Sequence, residues 1–450
     1  MFKSGCYLCK IKKYEILLAT TKFQAMAAPQ KGKLGMTKPM PMETRLCYFD
    51  FSGLGEPCRF MLAYGDEKFF DDRLTKEQFA ERKKTFPFQK MPYLEIDDMC
   101  LHQSMAICRY LARKYGIAGN TEAQNVEADM MAETINDVRG VLAMYYWESE
   151  ADVKERKKES ILKQVDDYLE RLEKRVVENG GFLVKSQLTY ADVIFGSLAG
   201  YMCHMAGSDL FENRPALRGL KNKVLELPNI KKQNMAAPKG KLGMTKPMAM
   251  ETRFCYFDFT GLGEPCRFML AYGDEKFVDD RMTGEQFAER KKTFPFLKVP
   301  YLEIDDMCLH QTMAICRYLA RKYGIAGKTE AQIVEADMMA ETLNDVRSGL
   351  AMYHYESDAA AKERKKENTF KQTNEYLDRL EKRVAENGGN FVKGQLTWTD
   401  VIFAAFTHYL NFMAGYDLFE NRPALLGLKD KVYALPNIKK YLDSRPAAKI

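Results

Sequence analysis

The stretch YFDFSGLGEPCRFMLAYGDEKF (48–69) decides how this chain is organised, because it returns 208 residues later as YFDFTGLGEPCRFMLAYGDEKF (256–277). The same spacing carries FPFQKMPYLEIDDMCLHQSMAICRYLARKYGIAG (86–119) onto residues 294–327 without insertion. A repeat of this length is far longer than a solenoid repeat, so we expect each copy to fold around its own core. The sequence therefore predicts two complete units in tandem.

Each unit changes character partway along. Between Arg45 and Gly119, short strand-like runs such as RLCYFDF and YLEID alternate with helical segments, as in α/β domains. From about Thr121 onward the periodicity is helical only, and LTYADVIF contains a capping box formed by Thr189 and Asp192. We predict the fold class α/β plus all-α, with an α/β domain followed by an all-helical domain in each unit.

The predicted domain boundaries follow from the repeat. Residues 233–250 are rich in Pro, Gly, Lys and Met, lack apolar periodicity and nearly repeat residues 26–42, so we interpret them as a linker. The predicted segments are a disordered leader (1–42), the α/β domain (43–119) and the helical domain (120–232) of copy 1, the linker (233–250), and the α/β domain (251–327) and the helical domain (328–450) of copy 2.

Charge and hydropathy argue against two classes of partner. The chain has 68 Lys and Arg against 62 Asp and Glu, and the two signs are interleaved rather than gathered in basic blocks, so we expect no nucleic-acid partner. No run approaches the ~20 apolar residues of a membrane-spanning helix, so we expect no membrane partner either.

Cysteine and histidine usage predicts a reduced protein without a metal centre. The eleven cysteines are an odd number spread over 450 residues, which is unlike a secreted disulfide framework and predicts a cytoplasmic location. The CxxC formed by Cys6 and Cys9 precedes any strand and has no assigned chemistry. The five histidines show no ligand spacing, so no metal site is predicted.

The first candidate functional residue is Tyr48, with Tyr256 as its equivalent in the second copy. It lies in an apolar strand that runs into the turn Ser52–Gly55. A tyrosine in a strand is often only a packed aromatic. Next to a helix N-terminus, however, its phenol can donate a hydrogen bond to a thiolate and so lower the pKa of that thiol.

Two further segments of each copy carry candidate binding residues. Pro92 precedes a strand. A trans bond there would only start the strand, whereas a cis bond would turn the Met91 backbone outward to pair with an extended peptide. Gln103 and Ser104 open a helix, where they form either an ordinary cap or an anion site for a carboxylate.

The segments YFDFSGLGEP, FPFxKxPYLEID, HQSMAICRYL and LTYADV resemble the glutathione transferases, and within them the sigma class, which includes the haematopoietic prostaglandin D synthases and the lens S-crystallins. The resemblance covers nearly all of residues 45–232 and 253–450. It implies a thioredoxin-like domain and a helical domain in each unit. It also implies a detoxification enzyme that conjugates the glutathione thiolate to hydrophobic, soft electrophiles, with lipid peroxidase or prostaglandin isomerase activity as further options. Glutathione is then a co-substrate, and no cofactor is implied.

The resemblance assigns roles to residues of both copies. Tyr48 and Tyr256 match the catalytic tyrosine that stabilises the glutathione thiolate. The implied glutathione-binding residues are Phe79, Lys83, Lys90, Met91, Pro92, Gln103, Ser104 and Asp137 in copy 1, and Phe287, Lys291, Lys298, Val299, Pro300, Gln311, Thr312 and Asp345 in copy 2.

Three features depart from the family pattern. Phe79 stands where the site for the glycyl carboxylate commonly has tryptophan, so one indole hydrogen bond is lost. Leu54 replaces an arginine that is frequent in the vertebrate synthases, so that contact is not carried over. Glu133 and Asn136 stand where those synthases use aspartates for a divalent ion, so metal activation does not follow from the resemblance.

The resemblance also bears on how the units pair. Asp137 and Asp345 match a carboxylate that reaches the α-amino group of glutathione in the neighbouring subunit, so a complete site would need two units. The chain can supply both as an intramolecular pseudo-dimer, or each unit can pair with another chain as a homodimer. The sequence leaves both arrangements open.

Two other functions compete with glutathione transfer. A crystallin-like structural protein could keep a residual glutathione site. A cysteine-based thiol transferase would need a cysteine in the position of Tyr48, whereas Cys47 is its neighbour in the strand and should face the opposite side of the sheet.

The copies differ most beside the expected electrophile pocket. GVLAMYYWE (140–148) becomes SGLAMYHYE (348–356), and GSLAGYMCH (196–204) becomes AAFTHYLNF (404–412). We hypothesise equivalent glutathione sites beside different acceptor pockets, and drift at structural helix positions is the alternative.

Overall fold

The computed structural model describes residues 44–233, 252–305 and 307–446. The predicted leader and, apart from Gln233, the predicted linker lie outside these residues. Each unit has a four-stranded sheet with helices, followed by helices alone. This arrangement confirms the predicted fold class.

Each sheet contains one parallel and two antiparallel strand pairs. The strands are β1 (Thr44–Phe49), β2 (Phe69–Leu74), β3 (Tyr93–Ile96) and β4 (Met99–His102) in the first unit, and β5 (Arg253–Phe257), β6 (Val278–Met282), β7 (Tyr301–Ile304) and β8 (Met307–His310) in the second. The strand orders are β2-β1-β3-β4 and β6-β5-β7-β8. β1 runs parallel to β2, and β3 pairs antiparallel with both β1 and β4.

The helices follow the same order in both units. In the first unit they are α1 (Glu56–Tyr64), α2 (Lys76–Arg82), α3 (Ser104–Lys114), α4 (Glu122–Tyr146), α5 (Ala151–Glu178), α6 (Tyr190–Ala206), α7 (Pro215–Leu225) and α8 (Pro228–Gln233). In the second they are α9 (Glu264–Tyr272), α10 (Gly284–Arg290), α11 (Thr312–Lys322), α12 (Glu330–His354), α13 (Ala359–Glu386), α14 (Trp398–Ala414), α15 (Pro423–Tyr433) and α16 (Pro436–Ser444). Within the described residues, no helix combines the length and apolar character needed to cross a membrane.

Local sequence explains where the helices begin. Pro57 lies in the first turn of α1, where its missing N–H has no cost. At the start of α6, Thr189 and Asp192 form the predicted capping box. The Asp192 carboxylate also accepts a hydrogen bond from the Leu183 backbone N–H at 2.8 Å, which ties the preceding loop to the helix.

Most of the buried apolar side chains of the two units form one contiguous cluster, and each unit has a smaller separate one around Phe86 or Phe294. Met338 on α12 accepts a hydrogen bond at its sulfur from the His102 backbone N–H at 3.2 Å, and Met130 on α4 accepts one from His310 at 3.1 Å. The predicted core of each copy is therefore continuous with that of the other copy. The physical reason is that each unit buries apolar surface of its helical domain against the sheet end of the other.

A buried network of ion pairs also crosses between the units. Arg109 Nε contacts Asp129 at 3.0 Å, and Arg109 Nη1 contacts Glu341 of the second unit at 2.9 Å. Arg317 mirrors this arrangement and reaches Glu133 of the first unit at 3.4 Å. Removing one partner of a buried pair costs about 3–5 kcal/mol, so the network specifies this pairing of the units.

The last helix stabilises the second unit in a way the first unit does not share. Tyr441 donates a hydrogen bond to Glu264 at 3.2 Å, and Arg445 pairs with the same carboxylate. The Glu264 side chain is 2% exposed, whereas its equivalent Glu56 is 22% exposed. The position of copy 1 that corresponds to Arg445 is Ala237, which carries no guanidinium.

Candidate active sites

The hydroxyl of each candidate catalytic tyrosine contacts the turn that follows its strand. Tyr48 on β1 accepts a hydrogen bond from the Leu54 backbone N–H at 3.0 Å, and Tyr256 on β5 accepts one from Leu262 at 3.0 Å. Because the amide occupies a lone pair of the phenolic oxygen, the phenolic proton stays available to a ligand. Each hydroxyl can therefore donate a hydrogen bond to a thiolate.

Two glycines of the turn make room for the Tyr48 side chain. Gly53 has a φ of +44°, and a Cβ on this residue would lie 2.8 Å from the Tyr48 hydroxyl. A Cβ on Gly55 would lie 2.4 Å from the Tyr48 ring. The close approach of backbone and phenol therefore requires glycine at both positions.

Burial keeps the Tyr48 phenol protonated. It raises the pKa of Tyr48 to about 12, while the hydrogen bond from Leu54 and the charge of Arg139 act in the opposite direction. Burial raises the pKa of Tyr256 as well. Both residues are therefore neutral donors near pH 7.

The predicted binding segments lie at the ends of β1, β3 and α3. The peptide bonds Met91–Pro92 and Val299–Pro300 are both cis, in agreement with the segment that the resemblance implies. Gln103 has a φ of +68° and stands at the N-cap of α3, followed by the buried Ser104. In the second unit, the Thr312 hydroxyl donates to the Leu262 carbonyl at 3.1 Å, which links this helix start to the catalytic turn.

Each site receives a carboxylate from the opposite unit. Gln103 Nε2 donates to Asp345 Oδ2 at 3.0 Å, and Gln311 Nε2 donates to Asp137 Oδ2 at 3.0 Å. Lys90 Nζ lies 3.9 Å from Asp345 Oδ2. The Asp345 side chain keeps 40% of its exposure, so the carboxylate can still reach a ligand. The structure thus brings together residues that the sequence separates by 242 and 174 positions.

A tyrosine from the opposite unit completes each cluster, and the sequence had not singled it out. Tyr376 on α13 donates to Asp345 at 3.3 Å, and its ring centre lies 4.6 Å from Lys90 Nζ. Tyr168 makes the same contacts with Asp137 and Lys298 in the second site. The signal that could have found both residues is their survival at equivalent positions in the two copies.

Two predicted binding residues of each copy lie apart from these clusters. Lys83 is exposed just after α2 and forms no ion pair within 4.0 Å inside the described part of the chain. Phe79 packs between Phe49 and Phe86, with ring centres 5.2 and 6.0 Å away. Lys291 is exposed in the same way, and Phe287 packs against Phe257 at 5.0 Å.

The cysteine beside the catalytic tyrosine is unsuited to nucleophilic chemistry. Cys47 is buried on the side of β1 opposite Tyr48 and donates a weak hydrogen bond to Asp72 at 3.4 Å. Burial and the Asp72 charge raise the pKa of this thiol to about 12. A thiol transferase mechanism through Cys47 therefore has no support in the geometry.

The positions where vertebrate synthases use aspartates are occupied by other contacts. Glu133 belongs to the buried network with Arg109 and Arg317. Asn136 accepts hydrogen bonds from Arg139 at 3.2 and 2.7 Å. Both side chains are thus engaged with arginines in this structure.

The two units differ where the end of α4 meets α6 in the first unit and where the end of α12 meets α14 in the second. In the first unit, Tyr146 hydrogen-bonds His204 at 3.0 Å, and Trp147 is 66% exposed. At the equivalent positions of the second unit, His354 packs against Phe412 with ring centres 4.8 Å apart. The histidine of this pair thus lies on α6 in the first unit and on α12 in the second.

A hydrogen-bonded pair of phenols, one exposed and one buried, marks the second unit. Tyr355 and Tyr409 share a hydrogen bond at 3.0 Å, and Tyr409 is buried. Its equivalent Tyr201 is only partly buried and packs against Phe51, with ring centres 6.3 Å apart. Tyr201 is thus more accessible than Tyr409, and the first unit has the more polar pair, Tyr146 and His204, where the second has His354 and Phe412.

Comparison with known proteins is decisive for the family. Glutathione S-transferase S1 of Drosophila melanogaster is 35% identical over 206 residues, which are 46% of this chain and 83% of that protein. The chain belongs to the glutathione S-transferase family. The domain family described as "Glutathione S-transferase, N-terminal domain" matches residues 45–113 and 253–321 of this transferase, and "Glutathione S-transferase, C-terminal domain" matches 136–233 and 344–445.

Further relatives of this glutathione S-transferase have the length of one unit. Glutathione S-transferase 2 of Manduca sexta is 40% identical over 43% of this chain and 96% of that protein. Hematopoietic prostaglandin D synthase of Gallus gallus is 35% identical over 44% of this chain and 98% of that protein. The transferase therefore contains two such lengths in succession.

Proposed function

We propose that this glutathione S-transferase binds glutathione in both units and transfers its sulfur to hydrophobic, soft electrophiles. The observation that carries the proposal is the Tyr48 hydroxyl, which accepts from the Leu54 N–H at 3.0 Å and so keeps its own proton free for the sulfur. The same arrangement recurs at Tyr256. Its duplication supports two working sites in one chain.

The proposed reaction starts from the thiolate of bound glutathione. The thiol releases its proton to solvent, and the sulfur then forms a bond to the electrophilic carbon while a leaving group departs or a conjugated system takes up the electron pair. Tyr48 donates a hydrogen bond to the sulfur throughout and forms no covalent intermediate. Lowering a thiol pKa by about two units requires about 2.7 kcal/mol, which a hydrogen bond to a charged group and nearby amide dipoles can supply.

We assign the glutathione subsites by the chemistry of the residues. The cis Met91–Pro92 segment offers backbone groups to the cysteinyl part of the tripeptide. Gln103 and Ser104 at the start of α3 offer amides to the γ-glutamyl carboxylate. Asp345 of the second unit offers a carboxylate to the α-amino group, and Lys90 offers a cation to the glycyl carboxylate. Lys83 and Phe79 are not assigned to any of these subsites.

The same assignment holds for the second site. There we assign Val299, Pro300, Gln311 and Thr312 to the tripeptide, with Asp137 as the carboxylate from the first unit and Lys298 as the nearby cation, while Lys291 and Phe287 stay at its edge.

We infer that the transferase works as an intramolecular pseudo-dimer rather than as a homodimer. The support is the reciprocal exchange of Asp137 and Asp345 within one chain. A native particle with the mass of a single chain, 51.8 kDa, is the expected result of light scattering. A mass of twice that value, lost together with activity on dilution, would favour pairing between chains.

We place the transferase in the sigma class, in the cytoplasm and in detoxification, with peroxide reduction or prostaglandin isomerisation as additional activities. The named relative that supports the last option is the prostaglandin D synthase of Gallus gallus. Mass spectrometry of products formed from prostaglandin H2 and glutathione tests it directly. The absence of prostaglandin D2 above the uncatalysed yield would restrict the enzyme to conjugation and peroxide chemistry.

We also propose that the two sites accept different electrophiles. The support is the exchange of the Tyr146–His204 pair for His354 and Phe412, which makes the wall of the second pocket more apolar. Electrophile panels on the Tyr256→Phe and Tyr48→Phe variants report the two sites separately. Identical profiles would contradict the divergence.

Turnover of 1-chloro-2,4-dinitrobenzene tests the central proposal. We expect Tyr48→Phe and Tyr256→Phe each to remove the contribution of one site, and the double variant to lose about 100-fold in rate below the pKa of free glutathione. A parent chain without turnover would instead favour the crystallin-like alternative, which no comparison supports.

A further inference from the structure

The carboxylate that Asp345 brings to the first site has its protein contacts at one oxygen. Oδ2 accepts a hydrogen bond from Gln103 Nε2 at 3.0 Å and another from the Tyr376 hydroxyl at 3.3 Å, and Lys90 Nζ lies 3.9 Å from the same atom. Within residues 44–233, 252–305 and 307–446, Oδ1 accepts no hydrogen bond. The side chain is 40% exposed, so Oδ1 is the oxygen that can accept from a ligand.

Tyr376 on α13 is fixed by contacts with the first unit. Its side chain is 7% exposed, and its ring centre lies 6.1 Å from that of Phe88, with the ring planes 27° apart. Lys90 Nζ lies 4.6 Å from the same ring centre, at a distance where an ammonium is attracted to an aromatic face. The phenol therefore has one defined position against Asp345.

The hydroxyl of Tyr376 is a donor and not an acceptor in this contact. Its partner is a carboxylate, which accepts only. Burial and the charge of Asp345 both raise the pKa of Tyr376, so the phenol keeps its proton near pH 7.

The direction of Oδ1 depends on what holds Oδ2. The last side-chain torsion of an aspartate has broad preferences, so a carboxylate turns unless hydrogen bonds fix it. Gln103 Nε2 divides its contacts between Asp345 and the Thr342 hydroxyl at 3.4 Å, and we have assigned the start of its helix to the γ-glutamyl carboxylate. Tyr376 is the donor to Oδ2 that has no assigned contact with the tripeptide.

The second site repeats this arrangement. Tyr168 on α5 is 3% exposed and donates to Asp137 Oδ2 at 3.4 Å. The same oxygen accepts from Gln311 at 3.0 Å and lies 3.5 Å from Lys298 Nζ. The three residues before each tyrosine differ, Val-Asp-Asp at 165–167 and Thr-Asn-Glu at 373–375, whereas the tyrosine itself is the same.

We propose that Tyr376 and Tyr168 are positioning residues, which orient Asp345 and Asp137 toward the α-amino group of glutathione. Each tyrosine acts on the site of the opposite unit, through the carboxylate of its own unit. The proposal rests on the proposed function, because it assumes that these carboxylates receive that amino group. It adds to each site a residue that is not assigned to the tripeptide.

The test uses the full chain with Tyr256→Phe, so that only the first site reports. Apparent kcat and KM of Tyr376→Phe are measured for two thiol peptides at a fixed concentration of 1-chloro-2,4-dinitrobenzene. One peptide is glutathione, and the other is glutaryl-cysteinylglycine, which has a hydrogen in place of the α-amino group. Tyr318→Phe is the matched control, because its hydroxyl also donates to an aspartate, Asp305, which belongs to neither site.

We expect Tyr376→Phe to raise the KM for glutathione about fivefold and to leave kcat within about twofold, because it weakens binding and not the chemical step. The KM for glutaryl-cysteinylglycine should stay within about twofold, since this peptide offers no ammonium to Asp345. In an Asp345→Ala background, Tyr376→Phe should add no further rise. In a Tyr48→Phe background, Tyr168→Phe should give the same pattern at the second site. Tyr318→Phe should leave the KM for both peptides unchanged.

A purely structural role of the hydroxyl gives a different result. It would raise the KM for both peptides equally, or would add its effect to that of Asp345→Ala, and either result would overturn the proposal. An unchanged KM for glutathione in Tyr376→Phe would also overturn it, while the proposed function would stand.

Two results for the parent separate this inference from the proposed function. Equal KM values for the two peptides would overturn the assignment of Asp345 to the amino group and this inference, but not thiolate transfer at Tyr48. A parent that turns over neither peptide would overturn the proposed function and this inference together.

Discussion

Gln103 donates a hydrogen bond to Asp345 at 3.0 Å across 242 residues of sequence. Gln103 belongs to the first unit and Asp345 to the second, so the hydrogen bond crosses between the units. Because Gln311 and Asp137 make the reciprocal contact at 3.0 Å, each of the two proposed glutathione sites contains a residue from both copies.

This contact predicts that a substitution in one copy acts on the site of the other. Asp345→Ala should raise the KM for glutathione about tenfold at the first site, because a hydrogen bond to a charged group contributes roughly 1.5–3 kcal/mol. The first site is measured in the Tyr256→Phe background. In the Tyr48→Phe background, the KM of the second site should stay within about twofold. A loss at the second site instead would contradict the crossed assembly.

A second prediction concerns the close approach of Gly55 to the Tyr48 ring. A Cβ at this position would lie 2.4 Å from the ring, so Gly55→Ala should displace the phenol and abolish most activity of the first site. Overpacking of this kind should lower the free energy of unfolding by about 1–3 kcal/mol.

The control for Gly55 is Gly219→Ala on α7, where a Cβ meets nothing within 4 Å. A helical glycine replaced by alanine should raise the free energy of unfolding by about 0.5–1 kcal/mol. Urea unfolding and turnover, measured on both variants, check the pair. Equal effects of the two substitutions would show that packing against Tyr48 does not matter.

A third prediction concerns Glu133 in the ion-pair network between the units. Burial and the neighbouring Glu341 raise its pKa to about 7, in spite of Arg109 and Arg317. The folded protein thus binds more protons than the unfolded chain, whose glutamate pKa is about 4.3. This contribution to stability is present at low pH and is lost as the pH rises through about 7.

Glu133→Gln should therefore flatten the dependence of unfolding free energy on pH between pH 5 and pH 8, as measured by urea denaturation. Glu341→Gln should also flatten it, because it removes a neighbouring charge that raises the pKa of Glu133. If the difference between parent and Glu133→Gln were constant over this range, a raised pKa of Glu133 would be excluded.

A fourth prediction concerns Arg445, which pairs with the buried Glu264. Arg445→Ala leaves that carboxylate with less compensation, and it should destabilise the second unit by about 1–3 kcal/mol and lower its turnover. The first site should keep its activity in the Tyr256→Phe background. Lys440→Ala, which removes an exposed pair with Asp274, should cost less than about 0.5 kcal/mol. Equal losses in both sites would show that α16 acts on the whole chain.

Local patterns made much of this architecture predictable. The change from alternating strands and helices to pure helical periodicity predicted the two domain types, and the capping box of Thr189 and Asp192 predicted where α6 begins. The internal repeat predicted two units. These features depend on neighbours in sequence, which periodicity and capping residues report directly.

Most contacts between distant segments were beyond the sequence, apart from the crossing carboxylates Asp137 and Asp345, which the family resemblance implied. The contacts of Tyr376 with Asp345 and Lys90 depend on the meeting of the two units, so they have no local signature. Phe79 packs against Phe49 and Phe86, a choice of sheet face that the spacing of α2 does not fix. Met130 and Met338 contact the opposite unit in the shared core, but in the sequence they cannot be told from other buried residues of a helix.

The near-identity of the two facing surfaces has a consequence for how such a protein can be made. Arg109 and Arg317 present almost the same contacts from opposite sides. If the halves were synthesised as free polypeptides, they would assort into both like and unlike couples. Because one backbone joins the two halves, each molecule contains one first unit and one second unit, and like pairs of halves do not form.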